Sequence, residues 1–184
     1  MIANESFLDT AIIRENVVSR AKQLGYVPTS ARGATASLRV TLNPTGSPDS
    51  LTIQGNTQFT ATIDEVTYTF ATQESTVVTP DANGNFISTI EIKEGDPVQE
   101  SYTVSSTNPS RYFLNNENAD TSSLSVKIQQ SASNTSIETF TLASDLVSVN
   151  SSSQIYYLQE ADERKYEVIF GDGVLGKNVS DGNI

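Results

Sequence analysis

The spacing of hydrophobic and polar positions changes period once along this chain. From Ser6 to Leu24 the apolar residues recur at helical spacing. Ile13, Val17, Ala21 and Leu24 form one stripe, Leu8 and Ile12 lie well round the cylinder, and Phe7, Ala11 and Val18 fall between. Ser6 is placed to cap this helix, Asp9 follows as a weaker capping-box partner, and Gly25 stands where a left-handed residue closes a helix. The apolar arc is wider than packing on one sheet needs. Two arrangements satisfy it: a helix buried between two elements of its own domain, or a helix shared with partner chains in a bundle. Little helical sequence follows to cover it from within, so Phe7, Leu8, Ile12, Ile13 and Val17 are the residues expected to meet partner chains.

Gly25 to Ala36 reads as a linker, because Pro28 pushes Val27 to extended geometry. From Ser37 the period is two. Leu38, Val40 and Leu42 alternate with polar residues, then Leu51 and Ile53 make a short strand. Phe59, Ala61 and Ile63 turn at Asp64-Glu65 into Val66, Tyr68 and Phe70, the pattern of a hairpin. Asn83-Gly84 lies in a strong turn suited to the primed conformations of hairpins. Phe86 to Lys93 is a clear strand, and Glu94-Gly95-Asp96-Pro97 is expected to turn it into a further strand over Val98 to Ser105. Leu124, Val126 and Ile128, then Ile137 to Leu142, then Ile155 to Gln159 and Tyr166 to Phe170 complete the series. Short strands with frequent turns predict a mainly β (α+β) fold: one N-terminal helix followed by small antiparallel sandwich- or barrel-like regions. The expected divisions are 1–36, helix and hinge; 37–115, a first β domain; and 116–184, a second β region, incomplete at its C-terminal end.

That end is glycine-rich. Gly171, Asp172, Gly173, Gly176 and Gly182 supply a structural turn whose backbone repeatedly takes positive φ. A further strand begins at Asn183-Ile184 and goes no further, which would leave Phe170 without a returning neighbour and predicts a fragment of a longer protein. Gly171 to Gly176 also matches the spacing of a dinucleotide-binding turn. That turn requires a helix next and an acidic residue about 20 positions on, and the residues after Gly176 have no helical period.

Composition narrows the chemistry. The chain has neither cysteine nor histidine, which removes disulfides, thiolate metal sites and every catalytic triad built on imidazole. A net charge of -11 opposes binding to nucleic acid or to an anionic membrane surface. No run is long enough for a transmembrane helix. Asp172, Asp181 and Asn183 could form an oxygen cage for Ca²⁺, but Asx residues in turns more often cap their own backbone. Glu160, Asp162, Glu163 and Glu167, beside Arg164 and Lys165, read as a solvated hairpin tip rather than a catalytic carboxylate pair. Tyr112, Tyr156 and Tyr157 fit core strand positions better than a sugar-stacking surface. No catalytic residue, cofactor, metal or small-molecule substrate is expected. A carbohydrate-binding or adhesive β module using exposed tyrosines is the alternative.

Two separated blocks carry a family resemblance. Phe7-Leu8-Asp9-Thr10, Arg14, Ala21, Leu24-Gly25-Tyr26-Val27-Pro28, Ala31 and Gly33-Ala34-Thr35-Ala36 form one; Phe170-Gly171-Asp172-Gly173, Gly176 and Asp181-Gly182-Asn183 form the other. Together they resemble the J-like baseplate wedge proteins of contractile-tailed phages. The resemblance implies a structural, non-enzymatic component of the virion's tail baseplate, assembled in the host cytoplasm. Its implied partners are other baseplate wedge proteins and a second copy of itself. It also implies that the N-terminal helix packs with helices of other wedge chains.

Overall fold

The structure is a computed structural model that describes residues 4–26, 28–105, 111–144, 147–161 and 164–184. The fold is mostly β, with a single α-helix among the described residues and curled, largely antiparallel sheets that form half-barrels. Its contacts define two compact units. One comprises residues 33–99, and the other comprises residues 1–32 together with 100–184.

In the unit of residues 33–99, β1 (Thr35–Leu42), β6 (Phe86–Glu94), β4 (Val66–Thr72) and β3 (Gln58–Ile63) make a four-stranded sheet in the order β1-β6-β4-β3. The short strands β2 (Leu51–Ile53) and β5 (Thr76–Val78) pair with each other. Ile53, Val78, Phe86, Ile90 and Ile92 are buried together, with Leu38, Val40, Leu42, Phe59 and Phe70 packed against them. These are the alternate positions of each strand, as period-two side-chain geometry requires. The β3–β4 hairpin forms as its alternation predicts, with Ile63 opposite Val66. Its two-residue turn holds Asp64 at φ 49° and Glu65 at φ 67°, the primed geometry that matches strand twist. Asn83-Gly84 differs. Only Gly84 is left-handed there, and Asp81 closes a wider loop by accepting from the amides of Asn83 and Asn85, each at 2.8 Å.

The strand expected over Val98 to Ser105 does not form. Strand β6 already has antiparallel neighbours on both edges, β1 over eight residues from Thr35↔Lys93 to Leu42↔Phe86 and β4 from Phe70↔Glu94 to Thr72↔Ile92, and the turn at Gly95 leads into irregular chain. Val104 nevertheless donates to the Asn183 carbonyl and accepts from the Gly182 amide.

The second unit carries a five-stranded sheet in the order β7-β11-β10-β9-β8: β7 (Arg111–Leu114), β8 (Val126–Gln129), β9 (Ile137–Leu142), β10 (Ile155–Glu160) and β11 (Tyr166–Phe170). The β9–β10 pairing, at Thr141↔Ile155 and Leu142↔Tyr156, is parallel. This departs from an all-antiparallel expectation, since parallel neighbours cannot be joined by a tight hairpin. Phe170 does not lack cover. It is buried with Ile128, Phe140, Tyr156, Val168 and Val179, and its ring meets Phe140 edge-on at 5.5 Å and Tyr112 at 5.6 Å. The Ile184 carbonyl and amide exchange hydrogen bonds with Gln129 at 2.7 and 3.0 Å, extending the ladder beyond β8.

Candidate protein–protein interface

The α-helix α1 spans Arg14–Gln23, shorter than the Ser6–Leu24 pattern predicts. Ile13 occupies the cap position with no side-chain cap bond, so neither Ser6 nor Asp9 serves as expected. Glu5 does the capping from a distance. Its carboxylate accepts from the amides of Ile12 at 3.1 Å and Ile13 at 3.2 Å and from the Asn16 side chain at 2.9 Å. An anion held against a helix start is favoured by the orphan amides and the macrodipole. Hydrogen bonds from the Asn16 side chain and the Ile12 backbone hold the Glu5 carboxyl below its ordinary pKa. At the other end Gly25 is left-handed at φ 77°, and Tyr26 donates back to the Ala21 carbonyl, the closure read from the sequence.

Residues 7–13 are therefore turn and extended chain leading into α1, and their apolar side chains face solvent. Ile12 is 88% exposed, Phe7 67%, Ile13 52% and Leu8 43%. Val17 is half-buried, and Val18 alone in the helix is fully buried. Burial between two elements of its own domain does not describe this helix.

Polar contacts tie the helix to the β-sheet of its own unit. Glu160, at the end of β10, is 1% exposed, and both its carboxylate oxygens bond the Arg14 guanidinium while its carbonyl accepts from Lys22 Nζ. The bond to Glu160 raises the Arg14 pKa further. Beyond the helix, the Tyr166 hydroxyl donates to the Pro28 carbonyl at 3.0 Å, and the Thr121 amide and hydroxyl reach the Ser30 hydroxyl at 3.0 and 2.9 Å. On the opposite face of the sheet, Glu167 is equally buried. Arg111 meets both of its oxygens, and Gln159 donates to it at 2.8 Å.

The solvated-tip reading of Glu160 and Glu167 is thus corrected; Asp162 and Glu163 lie outside the described residues. The sequence did hold a clue, since Gln159 and Glu160 continue a strand alternation into positions opposite Glu167 and Tyr166. The partners Arg14 and Arg111 are far away in sequence, so nothing local announced the pairing.

The glycine-rich segment after β11 is a folded turn. Asp172 accepts from the Val174 and Leu175 amides, each at 2.9 Å, and the Leu175 bond leads in holding its carboxyl below the ordinary range. Gly171 lies so close to the Gly176 backbone that a Cβ would overlap it. Gly176 itself is at φ 94° with Ile155 against it, and Gly173 and Gly182 are also left-handed. The residues after Gly176 are turn and extended chain, so the helix a dinucleotide turn needs does not follow. Among the described residues no group of three metal-ligating side chains gathers. Tyr156 is buried, and the Tyr112 ring lies between Tyr102, tilted to it, and Phe170, edge-on to it. Half-buried Tyr157 donates to the Leu175 carbonyl at 3.2 Å.

Phe7, Leu8, Ile12 and Ile13 thus stand exposed on the segment that leads into an ion-paired helix. No protein-family model matches the chain. The chain is similar to "Baseplate wedge protein gp6" of Enterobacteria phage T4, with 26% identity over 181 residues, which is 97% of this chain and 26% of that protein. It therefore spans about a quarter of the length of this relative.

Proposed function

We propose that this chain is a structural component of a phage tail baseplate wedge, resident in the virion. The observation that carries the reading is the collinear similarity, over nearly the whole chain, to a T4 protein whose name states that role. The exposed apolar cluster supports it. Four large apolar side chains standing in water within one short segment are costly for an isolated protein and natural for one that is covered on assembly. In this reading Phe7, Leu8, Ile12 and Ile13, with Val17 at the margin, meet other wedge chains, and a second copy of the chain is among the partners. Arg14 and Lys22, gripping Glu160, hold the helix so that this surface is presented in one orientation. The chain performs no catalysis and takes no cofactor.

The test is a double variant, Phe7→Asp with Ile12→Asp, at the two most exposed of these positions. The isolated variant should keep the melting temperature and circular dichroism of the wild type, because neither side chain is buried in the chain itself. It should fail to enter tail particles in an infection complemented with the variant. Normal incorporation would contradict the proposal.

A further inference from the structure

The β3–β4 hairpin outgrows its sheet. The ladder between β4 and β6 begins at Phe70↔Glu94, so from Ala61 to Tyr68 the two strands have only each other. Every residue from Thr60 to Tyr68 is exposed. The pleat sorts this ribbon into two faces. Thr60, Thr62, Thr67 and Thr69 line one, and the Thr62 and Thr67 hydroxyls bond across it at 3.2 Å. Ala61, Ile63, Val66 and Tyr68 line the other, with Ile63 61%, Val66 51% and Tyr68 38% exposed. A two-stranded ribbon with an uncovered apolar face is marginal in water. Its outer strand, β3, carries no charge, proline or bulge to discourage a further strand.

Electrostatics indicate what covers it. The ribbon's only charges are Asp64 and Glu65 at its tip, and residues 33–99 hold two cations, Arg39 and Lys93, against eight carboxylates. A second copy would bring acid against acid. A basic surface would gain where a copy would lose.

We propose that the β3–β4 ribbon is a second docking element, separate from the N-terminal cluster, and that it inserts its apolar face and acidic tip into a basic surface of a different tail protein. The inference rests on the baseplate reading and names one partner's chemistry. Carboxyl footprinting with carbodiimide and glycine ethyl ester tests it, on the isolated chain and on purified tail particles of the phage that encodes it. Asp64 and Glu65 should label freely in the isolated chain at every concentration and lose labelling in the particle. In particles built with Asp64→Lys and Glu65→Lys, Tyr68 should regain reactivity toward a tyrosine reagent. Equal carboxyl labelling in chain and particle overturns the proposal, as does protection that grows with concentration of the isolated chain, which would mark a second copy. Continued protection of Tyr68 in the lysine variant overturns the role of charge. A particle that lacks the chain altogether refutes the baseplate reading, and this inference with it; a particle that contains the chain with a labelled tip refutes this inference alone.

Discussion

Two hairpins of this protein look alike as sequence and end in opposite environments. β3–β4 and β10–β11 both alternate aromatic or β-branched residues with polar ones. β11 and β10 gain outer neighbours, β7 and β9, and that sheet buries two carboxylates, Glu160 and Glu167, to 1% exposure. The β3–β4 tip gains none, and leaves Ile63 and Val66 in water. Each inverts the ordinary rule for its residues. Alternation specifies a strand and its two faces; only the neighbours decide whether a face is wet. Where charge lies inside and apolar side chains lie outside, function or a distant partner has to account for it.

The largest effect that would break this contrast is in the buried hairpin's core. Phe140→Ala, which removes the ring lying edge-on to Phe170, should destabilise that unit by about 3–5 kcal/mol in urea unfolding. Arg14→Met should cost about 2–3 kcal/mol. That is less than the ~3–5 expected for a fully desolvated pair, because the Arg14 side chain is 42% exposed while its partner is buried. Adding Glu160→Gln should recover part of the loss, since it removes the stranded charge; a double variant as unstable as the sum of both singles would show that the pair is not coupled. At the exposed hairpin the sign reverses. Asp64→Asn with Glu65→Gly places residues that tolerate positive φ in the primed turn and should stabilise by up to about 1 kcal/mol, read as a raised melting temperature.

A smaller effect sharpens the account of the helix start. The Glu5 carboxyl titrates below its ordinary value, so the stability it contributes is present above the unfolded pKa and is lost as pH falls through the lowered folded one. Protection of the Ile12 and Ile13 amides against hydrogen exchange should therefore hold through mildly acid solution and collapse only below the ordinary carboxylate range. Glu5→Gln should weaken it at neutral and mildly acid pH and leave little difference from the wild type once Glu5 itself is protonated.

Much of this was legible in the chain. The fold class, the β3–β4 hairpin with its turn at Asp64-Glu65, the β6 strand and Gly25 as helix terminator follow from period and turn chemistry alone. The helix start was not, because Glu5 caps from beyond the positions that capping rules inspect. The missing strand after Gly95 and the parallel β9–β10 pair depend on which edge is already occupied, a long-range matter that local pattern does not encode. Of the candidate interface, Phe7, Leu8, Ile12 and Ile13 were expected on one arc of a helix that does not extend over them, and their exposure could not be read at all. It follows from how little of the helix its own unit covers, with Val18 the one residue of α1 fully inside.

The most direct measurement is hydroxyl-radical footprinting of Phe7, Leu8, Ile12 and Ile13 in the isolated chain and in purified tail particles. Heavy oxidation of all four in the isolated chain and its loss in the particle is the predicted result. Equal oxidation in both states, with the chain present in the particle, would contradict the claim that this surface exists to be covered.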